Sequence, residues 1–156
     1  MARPALDVAV VMERRTLANR WQSEAWRVAD VVPDDAGERG APRLLADDGQ
    51  TARWLHPGLA ITLYRDEAEG YYLNLTSGQP VIFVLWRDED GQGVPKIVTL
   101  SYHEASRMLD GGEQVDNVPM PPEMAVWLDE FTRMHYKPEP KKRSRPPSFK
   151  GARRDE

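Results

Sequence analysis

Leu59-Ala-Ile-Thr-Leu-Tyr-Arg-Asp-Glu-Ala-Glu-Gly-Tyr-Tyr-Leu-Asn-Leu-Thr-Ser-Gly-Gln-Pro-Val-Ile-Phe-Val-Leu-Trp86 is the stretch on which the fold turns. Residues 59–64 alternate, with Leu59, Ile61 and Leu63 on one face. Residues 65–70 are polar and close on Gly70. Residues 71–76 alternate again and place Tyr71, Leu73 and Leu75 together. Ser77-Gly78-Gln79-Pro80 punctuates the chain, and residues 81–86 are apolar on both faces. Period two bounded by Gly, Pro and Asp predicts strands joined by hairpins. The two-sided run at 81–86 predicts a central strand with its second face covered.

Working outward, residues 88–95 read as a third turn before a strand at 96–100, so four strands follow one another as an antiparallel meander. Upstream, residues 6–12 read as an apolar strand. Residues 21–32 fit a strand, although Leu17, Trp21, Ala25 and Val28 also match a helical stripe. The strand reading is favoured because Trp and Val are strand-prone and Val32-Pro33 leaves the helical region. Residues 34–42 form a loop, and Asp47-Asp48-Gly49 between 43–46 and 51–55 signals a short hairpin. Downstream, Ser101 and Glu104 form a capping box, and Gly111-Gly112 ends that helix. Pro121-Pro122 opens a second helix with Met124, Trp127, Leu128, Phe131 and Met134 on one stripe. The expected fold class is α+β: about seven antiparallel strands in a curved sheet or small barrel, followed by two C-terminal helices. Pleckstrin-homology-like barrels share this layout, an analogy of fold that carries no function.

Charge divides the chain in two. Residues 1–136 hold 13 Lys and Arg against 22 Asp and Glu, a balance of −9; residues 137–156 hold eight basic and three acidic residues, a balance of +5. The first reads as one globular domain and the second as a basic, proline-broken tail. With no Cys, thiolate metal sites and cysteine nucleophiles are excluded. No segment approaches the ~20 apolar residues that span a bilayer, so a cytoplasmic protein without a membrane partner is expected.

Chemistry-bearing constellations are few. Ser101, His103 and Glu104 suggest a triad, but helix capping accounts for Ser101 and Glu104. His56, His103 and His135 lack metal-ligand spacing. Asp88-Glu-Asp-Gly91 has Thr99 where a calcium loop needs its twelfth-position Glu, and Gly91-x-Gly93 sits between strands rather than before a helix. No catalytic residue, metal or cofactor is expected. The tail, through Lys141, Lys142, Arg143 and Arg145, reads as a steering arm for an acidic protein, with Arg14, Arg15, Tyr71, Tyr72 and Trp86 as body contacts. Nucleic acid is disfavoured because the acidic body repels phosphate and Phe149 alone gives no stacking platform.

Several stretches together carry a resemblance: Val8-Ala-Val-Val-Met-Glu-Arg-Arg15, Asn19-Arg-Trp-Gln-Ser-Glu-Ala-Trp26, residues 63–76, Met108-Leu-Asp-Gly-Gly-Glu-Gln-Val-Asp116, Val118-Pro-Met-Pro, and His135-Tyr-Lys-Pro-Glu-Pro-Lys-Lys-Arg143. Over residues 6–143 the chain resembles the proteobacterial domain-of-unknown-function family 3305. The resemblance implies no activity, cofactor or functional residue, but its members look like neighbours of formate dehydrogenase and iron–sulfur or chaperone-type genes. The expected function is a non-catalytic accessory or adaptor protein in assembly or maturation of a cytoplasmic molybdenum-dependent formate dehydrogenase, with a subunit or maturation factor as partner. The alternative is a small-ligand binding module or minor enzyme using the barrel interior, lined by Asn74, Thr76 and Thr99.

Overall fold

The apolar run at residues 8–12 becomes the middle of β1 (Ala5–Thr16), which is buried on both faces. β1 is therefore the centre of a sheet and not its edge. In the computed structural model, which describes residues 3–34 and 40–138, it pairs antiparallel with β2 (Glu24–Pro33) and β4 (Thr51–Thr62), and β3 (Arg43–Asp47) pairs with β4. The order is β2-β1-β4-β3. A second antiparallel sheet, β6-β5-β7, is built from β5 (Val81–Glu89), β6 (Gln92–Thr99) and β7 (Gln114–Pro119). Three helices complete the fold: α1 (Ala68–Leu75), α2 (Tyr102–Asp110) and α3 (Pro122–His135).

Much of the expected pattern stands. The strands are antiparallel, β5 is central, residues 24–33 are strand, and both C-terminal helices form where expected. The β5–β6 hairpin turns on Asp90 and Gly91, whose φ values of 55° and 83° are those a two-residue primed turn requires. Ser101 caps α2 by accepting the Glu104 N–H at 3.1 Å. The Glu104 carboxylate does not close the box directly. It takes the Thr99 hydroxyl at 2.5 Å, and Thr99 Oγ1 in turn accepts the Ser101 N–H at 3.1 Å.

Three expectations are corrected. The strands form two sheets, not one curved sheet or closed barrel, and β4 and β5 lie in different sheets, so no four-strand meander exists. Residues 71–76 are not a strand, because 68–75 form α1, burying Ala68, Tyr71 and Asn74 at helical spacing and leaving Tyr72 and Leu73 outside. The polar link after α2 contains β7, whose Asp116 accepts the Val28 N–H at 2.9 Å and so ties the second sheet to β2.

Val8, Val10 and Met12 of β1 share one apolar core with Ile61, Leu63, Ile82, Val84, Trp86 and Val98, so the two sheets face each other. Burial of each such side chain contributes on the order of 1.5–3 kcal/mol. α3 closes the core with Met124, Leu128 and Phe131, while Met134, expected on the same stripe, is exposed. Phe83, on the other face of β5, meets Tyr102 of α2 edge to face, which is the covering that a two-sided strand demands.

His56 is buried in β4, and burial pulls its imidazole below the ordinary value of 6.5. The unfolded chain then protonates first, so this contribution is complete above about pH 6.5 and is lost as pH falls below it. The melting temperature should fall between pH 7 and pH 5.5, and His56→Gln should flatten that slope. An unchanged slope would assign the effect to other groups. Glu13, whose pKa is also lowered, acts only below its ordinary value of 4.5.

Candidate arginine face

Side chains alternate along β1, so Arg14 and Arg15 point to opposite faces. Arg15 lies on the outer face of the four-stranded sheet with Glu13. In register with Glu13 stand Arg27 on β2 and Arg53 on β4. Glu13 is only 2% exposed. Arg27 Nε donates to its Oε1 at 2.6 Å, Arg53 Nε and Nη2 reach Oε2 at 3.0 and 2.9 Å, and Arg15 Nη2 stands 3.8 Å from Oε1. The Arg27 hydrogen bond, followed by that of Arg53, holds Glu13 below the usual carboxylate range against the opposing effect of burial.

Three guanidinium groups thus surround one carboxylate, a local surplus of two positive charges on an otherwise acidic body. The arginine side chains are 61%, 52% and 47% exposed at positions 15, 27 and 53. Glu13 fixes them from beneath and leaves donors facing outward. Pre-oriented guanidinium forks suit planar oxyanions, carboxylate above all. Beside the cluster lies a small buried apolar cluster of Ala9, Val11 and Leu55, with Arg43 of β3 in register with Leu55.

The remaining expected contact residues do not assemble with Arg15. Arg14 turns inward over Trp54, its guanidinium 5.1 Å from the ring, with Glu24 at 3.7 Å. Tyr71 and Trp86 are buried and present no surface to a partner, because both belong to the core. The Tyr71 hydroxyl accepts the Tyr64 N–H at 2.9 Å, and burial pushes it up to about 12. Tyr72 is exposed but stacks on Tyr136 at 4.6 Å where α1 meets α3. Lys141, Lys142, Arg143 and Arg145 lie outside the described residues. Arg27, Arg53 and Glu13 were missed by sequence reading. The available signal was one acid and two arginines on three adjacent strands, but it becomes visible only when the register is known.

The other constellations resolve structurally. Ser101 Oγ is fully buried and donates to Glu67 Oε1 at 2.5 Å, while Arg107 holds Glu67 Oε2 at 2.7 Å. His103 pairs with Glu69 at the surface, 3.1 Å away. Asn74, Thr76 and Thr99 do not line a common space. Asn74 and Thr99 are buried and engaged with neighbouring groups, and Thr76 is exposed at the end of α1. Among the described residues no group of three or more His, Cys, Asp or Glu is arranged to hold a metal, and no helix is long and apolar enough to cross a membrane.

The family model described as "Protein of unknown function (DUF3305)" matches residues 7–145. The chain belongs to the DUF3305 family. Apart from the first two residues of β1, the match takes in every strand and helix of the described residues, and it extends into the basic tail as far as Arg145. No curated protein and no solved structure matches this DUF3305 chain.

Proposed function

We propose that this DUF3305 protein is a non-catalytic accessory or adaptor protein that docks an acidic segment of a protein partner on the face formed by Arg15, Arg27 and Arg53. The observation that carries this reading is the convergence of three arginines on one buried carboxylate, Glu13. The basic tail adds long-range attraction for the same partner, through Lys141, Lys142, Arg143 and Arg145. The resemblance to neighbours of formate dehydrogenase genes supports a formate dehydrogenase subunit or maturation factor as that partner, in assembly of a cytoplasmic molybdenum-dependent enzyme.

Affinity capture from the native host, comparing the full chain with one ending at Tyr136, identifies the partner. The decisive measurement follows with the recovered protein. Arg15 makes the longest contact with Glu13 and is the most exposed of the three, so Arg15→Glu should cost about 1 kcal/mol and leave the protein folded. It should weaken binding several-fold at low salt, and the difference should shrink as salt screens the charges. Binding by Arg15→Glu that equals wild type at every salt concentration would remove the face from the mechanism.

A second reading, a small-ligand binding module, has a specific observation behind it. A groove of about 680 Å³ opens between the N-terminal segment and α3, walled by Arg3, Tyr64, Arg65, Phe131, Met134 and His135. It opens at the edge of the inter-sheet core, where Leu63 and Phe131 belong to both. A metabolite present at 100 times its dissociation constant would raise stability by ~2.7 kcal/mol, a shift that a melting panel detects readily.

A further inference from the structure

A second groove, of about 460 Å³, runs between the start of β1, the end of β2 and the N-terminal end of α3. Its floor is apolar, with Leu6, Met124 and Trp127, its rim carries the carboxylates of Asp7 and Glu123, and Asp34 is buried in its wall. Met124 is buried, Leu6 and Trp127 are half-buried, and Asp7 and Glu123 are exposed. An aromatic side chain beside a row of acids is the chemistry that receives a proline-rich, basic strand: proline rings pack on the indole while Lys or Arg pairs with the rim.

The chain itself supplies such a strand. Residues 137–156 include Arg143-Ser-Arg-Pro-Pro147 within a segment of net charge +5. That segment begins where α3 ends, at His135, and the groove lies at the opposite end of α3. A helix of 14 residues spans ~20 Å at 1.5 Å per residue. An extended chain covers that distance in about six residues at ~3.3 Å each, so residues 143–147 can reach the groove with length to spare. Length and charge agree.

We infer that the acidic groove is an intramolecular docking site for the protein's own basic tail, with Arg143 and Arg145 against Asp7 and Glu123 and Pro146-Pro147 against Trp127. The tail then has two destinations, its own groove and an acidic partner, and a partner must displace it from the first. This docking is independent of the arginine face and of any partner's identity.

The full chain has no cysteine, so Ser148→Cys accepts a single nitroxide label. In the isolated protein at low salt, the label should strip most of the intensity from the amide signals of Leu6, Asp7 and residues 123–127. The signals should return at high salt, and in the same labelled chain carrying Arg143→Glu with Arg145→Glu, a change that leaves the folded body untouched. Glu123→Lys should also restore them, and adding Glu123→Lys to the double tail variant should restore the broadening. A label that broadens no groove amide overturns the inference. So does broadening that appears in a mixture of isotope-labelled, spin-free chains with spin-labelled chains, because the tail would then occupy a second copy.

Discussion

Replacing Asn74 by leucine is expected to lower the unfolding free energy by about 3 kcal/mol or more, the largest effect anticipated for one polar side chain here. The Asn74 amide, 1% exposed, joins three parts of the chain. Its Nδ2 donates to the Val81 and Leu100 carbonyls at 2.8 and 2.9 Å, and its Oδ1 accepts the Val81 N–H at 3.0 Å. The end of α1, the start of β5 and the exit from β6 are held at one point. Leucine keeps the branched skeleton of asparagine but is bulkier, so no cavity opens and crowding adds to the cost, while three buried or part-buried backbone groups lose their partner. Each such group costs about 1–3 kcal/mol. Against the ~5–15 kcal/mol typical of a domain, the loss should show as a large drop in the urea midpoint with the slope unchanged. A loss under about 1 kcal/mol would mean that the three groups find other partners, and the clamp would be discarded.

Asn74 also shows why α1 was illegible. Tyr71, Leu73 and Leu75 alternate as a strand should, yet Ala68, Tyr71, Asn74 and Leu75 fit one helical face equally well, and eight residues are too few for either period to prevail. Apolar count favoured the strand. The helix wins because Asn74 is worth more inside than Leu73, since its amide meets backbone groups that an alternating strand would leave unpaired. Acidic residues at 66, 67 and 69, where a helix dipole favours them, were the overlooked signal. β7 was illegible for the opposite reason: Gln114, Asp116 and Asn117 look like a loop, and Asp116 is explained only by its bond to β2. The elements read correctly were those whose evidence is local, such as the two-faced apolar run of β5, the Asp90-Gly91 turn and the Ser101 cap.

The arginine face sits between these cases. The Arg14-Arg15 pair was noticed as charge, and strand alternation alone sends its members to opposite faces. Recognising that Arg15 joins Arg27 and Arg53 over Glu13 requires the register of three strands separated by 14 and 40 residues. Register follows from the bulges between Val11 and Met12 and between Val8 and Val10, which no periodicity announces. Tyr71 and Trp86 were chosen as contacts because aromatic residues mark interfaces, but they mark cores as well, and in this fold burial claims both.

Gly70→Ala should destabilise the protein by about 2–3 kcal/mol, although alanine in a helix is ordinarily the better residue by ~1 kcal/mol. Gly70 lies in α1 where the helix passes over the start of α2. A Cβ there would overlap Ser101 Oγ and stand 3.1 Å from the His103 backbone nitrogen and 3.2 Å from Ser101 Cβ. Ser101 cannot turn aside, because its hydroxyl is committed to Glu67 at 2.5 Å and to the Glu104 N–H at 3.1 Å. The two helices therefore touch through the missing side chain, and the added methyl must either break the cap or push the helices apart. Ser101→Ala alone should lose the cap and the Glu67 bond, about 1–2 kcal/mol. Combined with Gly70→Ala, it removes the nearest obstructing atom, so the double variant should lose less than the sum of the single losses. Additive losses would show that Gly70 and Ser101 act separately, and the glycine would need another explanation. Non-additivity would mean that the residue that ends the apparent turn at 65–70 is required because two helices cross there.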